Sequence, residues 1–149
     1  MKTISIAAAA AALTLAASAQ AFDVFTDYTP TKEIWNVTMV RVNPNRVDDY
    51  LEGLKQTWWN GCEVGKKHGA VLECGIYWSE NAASRDFNMM LVMKLPSAAS
   101  TDPDPARFGK IQADTRALLE EAKQDQLVEG YEELRSFWGE MTFRRIDFK

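Results

Sequence analysis

Histidine is almost missing from this 149-residue chain, with His68 the only one. Cysteine is nearly as scarce, at Cys62 and Cys74, and there are five prolines and eight glycines. So few soft ligands exclude an ordinary zinc or copper site built from several histidines and thiolates, and no metal or cofactor is expected. No serine or cysteine elbow accompanies His68, so no catalytic residue is assigned. Basic residues number 17 against 21 acidic ones, and no long basic stretch occurs, which excludes nucleic acid as an expected partner. Beyond the first 21 residues no run is apolar for the roughly 20 residues that a membrane helix needs.

What the first 21 residues do have is the pattern of an export signal. Lys2 gives a positive start, Ile4 to Ala17 form an apolar run, and Ala19-Gln20-Ala21 is a small-x-small cleavage site. The expectation is a periplasmic or secreted bacterial protein whose mature chain starts at Phe22, with no membrane contact after cleavage. Loss of Lys2 leaves 16 basic against 21 acidic residues. Residues 22–32 read as an N-terminal arm, and 33–149 as a single domain.

The strand signals are strong. EIWNVTMVRV (33–42), AVLECGIYWS (70–79) and DFNMMLVMKL (86–95) are rich in β-branched and aromatic residues, and EMTFRRIDF (140–148) reads as a last strand. A helix begins near Arg46, with Asn45 as its cap, and stops at Gly69. Asp104-Pro105 opens a second helix carrying Phe108, Ile111, Thr115, Leu118, Leu119 and Ala122 on one face. YEELRSFWG (131–139) suggests a short extra helix. The order β-α-β-β-α-β predicts a ferredoxin-like α+β fold with an antiparallel sheet and its helices on one face.

KQTWWNGCEVGKKHG (55–69) concentrates two tryptophans, one cysteine and the histidine. On a helical wheel Val47, Leu51, Leu54 and Trp58 share a stripe with Gly61 and Gly65, so Trp58 belongs to the core and the glycines permit close approach. Trp59 falls at the edge of that stripe. His68 stands where a histidine caps the last carbonyls and complements the helix dipole; its other reading is a haem ligand, haem being the only cofactor alternative. Cys62 and Cys74 are either a disulfide, as two cysteines of an exported chain tend to be, or two buried thiols.

Alternation assigns Trp35, Val37, Met39, Cys74, Ile76, Trp78, Met89, Leu91 and Met93 to the helix-covered side of the sheet. The other side then collects Asn36, Thr38, Val40, Glu73, Tyr77, Asn88, Met90 and Val92, joined by Thr142 and Arg144. That mixed face suits a ligand cavity, with Asn36, Thr38, Glu73, Tyr77, Asn88 and Arg144 as the polar candidates and Glu73 paired with or facing Arg144. It is also too apolar to stay open, which predicts a second copy of the sheet as its cover.

The strand IWNVTMVRVNP leading into RVDDYLEGLKQTWW, together with the element order, resembles the dimeric α/β-barrel superfamily. That group includes antibiotic-biosynthesis-type monooxygenases and haem-degrading enzymes. The resemblance implies a homodimer with facing four-stranded sheets and a cavity for a small, partly apolar molecule. It also implies, as an alternative, cofactor-independent oxidation of a phenol using Asn36, Tyr77, Trp35 or Trp78, or haem chemistry at His68. A further reading makes the acidic helix around Glu120, Glu121 and Asp125 a protein-contact surface.

Overall fold

Strand β2 (Ile34–Val42) is the hub of the structure. A computed structural model describes residues 22–149 apart from Ser84, so the export signal expected at 1–21 lies outside the described residues. Nine residues rich in branched and aromatic side chains keep β2 extended, and Asn43-Pro44 ends it, since proline has no N–H for a ladder. It pairs antiparallel with β4 (Met89–Leu95) on one side and β5 (Arg135–Phe143) on the other. Strand β3 (Glu73–Trp78) lies outside β4, giving the order β3-β4-β2-β5. With the helices between them, these strands form the ferredoxin-like α+β domain. A separate ribbon pairs β1 (Tyr28–Pro30) with β6 (Ile146–Phe148), tying the N-terminal arm to the chain's end.

The first helix runs as α1 (Val47–Leu54), a wide π turn (Lys55–Trp59) and α2 (Asn60–Lys67). Asn45 does not cap it, because a 3-10 turn over Pro44–Arg46 intervenes and no side chain caps α1. Asp48 and Asp49 in the first turn supply the negative charge that end favours. Gly69 ends the helix at φ +65°, a left-handed conformation that glycine adopts without strain.

Between β4 and β5 stand α3 (Pro105–Leu118) and α4 (Glu121–Leu134). Asp104 caps α3 as its sequence suggests, its Oδ1 accepting the Arg107 amide at 3.0 Å. The chain bends into extended backbone at Leu119 and Glu120, so the second helix is two helices. The extra helix expected over 131–139 is therefore corrected: Tyr131–Leu134 close α4, and Arg135–Gly139 belong to β5. Strand β5 also ends earlier than expected, at Phe143, with Arg144 and Arg145 turning into β6.

All helix packing falls on one face of the sheet. One cluster joins Val40, Val42, Met89 and Leu91 to Val47, Tyr50, Leu54, Tyr131 and Leu134; a second joins Ile34, Cys74 and Leu95 to Cys62 and Val71. Trp58 packs against both. Cys62 and Cys74 form a disulfide, Cα to Cα 6.4 Å, that ties α2 to β3. Gly65 brings the helix against Val71, within 2.7 Å of where a Cβ would stand, whereas Gly61 meets nothing.

Candidate functional site

The face of β2 turned to the helices carries Ile34, Val40 and Val42 in the core, and hence Asn36 and Thr38 between them. On this strand the observed alternation is one residue out of phase with the expected one. Trp35, Val37 and Met39 lie on the opposite face, and Asn36, Thr38 and Val40 lie under the helices. The reason is that β2 is apolar on both sides, so hydropathy leaves its phase undetermined. Phase on β3 and β4 agrees with the expectation: Cys74, Ile76, Met89 and Leu91 face the helices.

The six polar candidates therefore do not share one cavity. Asn36 meets Thr142, whose hydroxyl donates to its Oδ1 at 3.0 Å, and Thr38 stands across from Glu140. Glu73 and Tyr77 are exposed on the other face of β3. Of the residues offered for an oxidation, Asn36 lies on the helix side of the sheet, and Tyr77 and Trp35 on the other. Asn88 is a backbone clamp, its amide accepting from the Val42 N–H and donating to the Val42 carbonyl, both at 2.8 Å. Arg144 donates from Nη1 to the carbonyls of Thr31 (2.8 Å) and Lys32 (3.1 Å). Its pairing with Glu73 is excluded, because β3 and β5 are opposite edges of the sheet, about 14 Å apart at the usual strand spacing.

His68 does not cap carbonyls with its ring. Its Nε2 lies 2.9 Å from Oδ2 of Asp114 on α3, and Lys67 reaches the same oxygen at 2.8 Å. Those contacts, Lys67 foremost, hold the Asp114 carboxyl below its ordinary value. With Nε2 turned to Asp114, Nδ1 is the ring nitrogen left for an iron. Among the described residues no group of three or more His, Cys, Asp or Glu stands close enough to hold a metal ion.

Opposite the helices, the cross-strand register builds an apolar surface in rows. Glu73, Lys94, Trp35 and Phe143 form the first, Gly75, Val92, Val37 and Met141 the second, and Tyr77, Met90, Met39 and Gly139 the third. Val37 and Met39 are buried at its centre, whereas Tyr77 (52 %), Met141 (48 %) and Phe143 (48 %) stand open to solvent. At one end Trp35, Val37, Phe143, Arg144 and Arg145 line an open depression of about 360 Å³. Lys94 Nζ sits 4.9 Å from the Trp35 ring centre there. A larger cavity of about 500 Å³ lies elsewhere, between Ala70 and the Ser100–Ile111 segment. Arg107 is spent inside that segment on the carbonyls of Ser100 and Asp102. The sequence hides this aromatic and basic depression because alternation alone places Trp35 on the helix side.

Fold and site together define a ferredoxin-like α+β domain with one uncovered apolar sheet face. No protein-family profile and no curated protein sequence matches the chain. Solved structures that resemble it are dimeric ferredoxin-like and NIPSNAP-type proteins of unknown function. One is a Bacteroides thetaiotaomicron protein described as a possible oxidoreductase, at 18 % identity and TM-score 0.44, covering 76 % of this chain and 98 % of its own. A dimeric ferredoxin-like protein of Bacteroides fragilis has 7 % identity and TM-score 0.41, covering 78 % and 100 %. A NIPSNAP-family protein of Agrobacterium tumefaciens has 13 % identity and TM-score 0.45, covering 78 % and 91 %.

Proposed function

We propose that this chain is exported, loses its first 21 residues, and acts as a homodimer holding a small, partly apolar molecule between two facing sheets. The uncovered sheet face carries the reading. Trp35, Val37, Met39, Tyr77, Met90, Val92, Met141 and Phe143 share it, and the helices pack on the other side. Exposed apolar patches of this breadth are costly in water and mark contact surfaces. A second copy offers a surface of the same shape and chemistry, the usual solution in two-fold dimers. The depression at Trp35 and Phe143 lies at the end of that face, where aromatic walls and basic side chains converge as in small-molecule sites. The Cys62–Cys74 disulfide fits an oxidising compartment.

Native mass spectrometry of the mature protein from its own host tests this directly. A dimer starting at Phe22 with an additional bound mass is the expected result. A monomer defeats the covered-face reading, and a chain retaining residues 1–21 defeats export with cleavage.

A further inference from the structure

We infer that the depression at the end of the open sheet face recognises a planar aromatic carboxylate. This rests on the ligand site proposed above and names its chemistry. The walls are two aromatic side chains, Trp35 and Phe143, which are direct cross-strand partners on β2 and β5. Such walls favour a flat π system over a branched aliphatic one.

The charges around them differ in what they already contact. Arg145 is spent on Asp147, at 2.8 and 3.2 Å, and Glu33 acts on it as well. Lys94 lies over Trp35, with Glu73 as its neighbour across the strands. Lys32 lends Arg144 its backbone carbonyl. Arg144 is the exception: among the described residues no carboxylate lies within ion-pair distance of it. Two backbone carbonyls, of Thr31 and Lys32, fix one corner of its guanidinium through Nη1. The remaining N–H groups of that planar fork keep their capacity for a carboxylate, whose two oxygens match the guanidinium geometry.

A flat ring against Trp35 and Phe143 therefore directs its carboxylate to Arg144, and Lys94 adds a second positive charge at the same aromatic wall. A neutral ring of equal size keeps the stacking and loses the ion pair. A bulky aliphatic acid keeps the ion pair and loses the stacking.

Calorimetric titration of the mature, disulfide-intact protein with 2-naphthoate and with 2-naphthalenemethanol separates these contributions. Naphthoate is expected to bind at least about tenfold more tightly, the usual return on a charge-assisted hydrogen bond. Arg144→Gln should cut that preference to the smaller part Lys94 supplies while leaving the weaker alcohol binding unchanged, and Arg144→Lys should restore part of it. Should Arg144→Gln fail to fold, Arg144→Lys and Lys94→Gln carry the test, each lowering the preference. Equal binding of the two probes overturns carboxylate recognition and leaves the cavity reading standing. Binding of neither probe to an intact dimer overturns both. A monomer that still prefers naphthoate supports the inference and removes the dimer from it.

Discussion

At the scale of single residues, Gly53 and Asn88 both constrain this fold. A Cβ on Gly53 would stand 2.9 Å from the Tyr131 ring, which is itself buried and held by its 2.5 Å hydroxyl contact with Thr57. Alanine would gain about 1 kcal/mol of helix propensity and force that ring aside. Overpacking of this kind costs about 1–3 kcal/mol, so Gly53→Ala is expected to destabilise on balance, read by urea denaturation. Asn88→Ala strips two hydrogen bonds from the buried Val42 backbone and should cost about 2–4 kcal/mol in the same assay. Tyr50 makes a pH-dependent prediction. Full burial pushes its hydroxyl up to about 12 against the pull of Arg135. The unfolded chain then loses the proton first, so this contribution is complete below pH 10 and declines until the folded group also ionises near 12. Stability should fall across that window by up to about 1.4 kcal/mol per pH unit, and Tyr50→Phe should flatten the slope. An unchanged slope would show that Tyr50 ionises normally.

At the scale of elements, α3 differs from every other helix. None of its residues is buried, and Phe108 (63 %) and Leu118 (58 %) are exposed, although the sequence places both on an apolar stripe. Its hold on α2 includes the Lys67 and His68 contacts with Asp114. Native-state hydrogen exchange should accordingly be faster over residues 105–118 than over α1 or the buried end of α4. Because Lys67 and His68 lower the Asp114 value, their contribution is present above the ordinary aspartate range and is lost as pH falls through the lowered value. Asp114→Asn should raise exchange in α3 at neutral pH and make it insensitive to acid there. Slow exchange in α3 equal to that of α1 would show that packing rather than these contacts holds it. The disulfide acts at the same scale, closing α2 onto β3. Its reduction should lower stability by about 3 kcal/mol in the chain-entropy treatment of a loop this short, seen as a lower thermal midpoint with reductant.

At the scale of the whole molecule, the unbalanced feature is a sheet with helices on one side and an apolar surface on the other. Val92 sits in the middle row of that surface, between Gly75 and Val37. A charge there faces the proposed partner and leaves the helix-side core untouched, so Val92→Glu should convert a dimer to a folded monomer by sedimentation or light scattering. An unfolded Val92→Glu chain would instead indicate that the face is part of the monomer's own core. Retention of the dimer would move the interface elsewhere.

Periodicity and turn residues in the sequence were enough to determine the β-α-β-β-α-β order of the four-stranded domain, the capped start of α3, the stop at Gly69 and the place of Trp58. These are local, since each depends on a few neighbouring residues and on backbone rules that hold in any context. The face each side chain of β2 takes was not local. Ile34, Val40 and Val42 compete with Trp35, Val37 and Met39, which are apolar too, and packing against Tyr50, Leu54 and Leu91 chooses between them. The same is true of α4, whose C-terminal end looked like a separate helix until Arg135 entered the sheet opposite Val42. Polar candidates chosen by parity scattered once one strand changed phase, and Asn88 became a clamp because the end of β2 needed partners. What brought Lys94 and Phe143 to Trp35 was cross-strand register, which draws Phe143 from more than a hundred positions away and leaves no trace in sequence spacing.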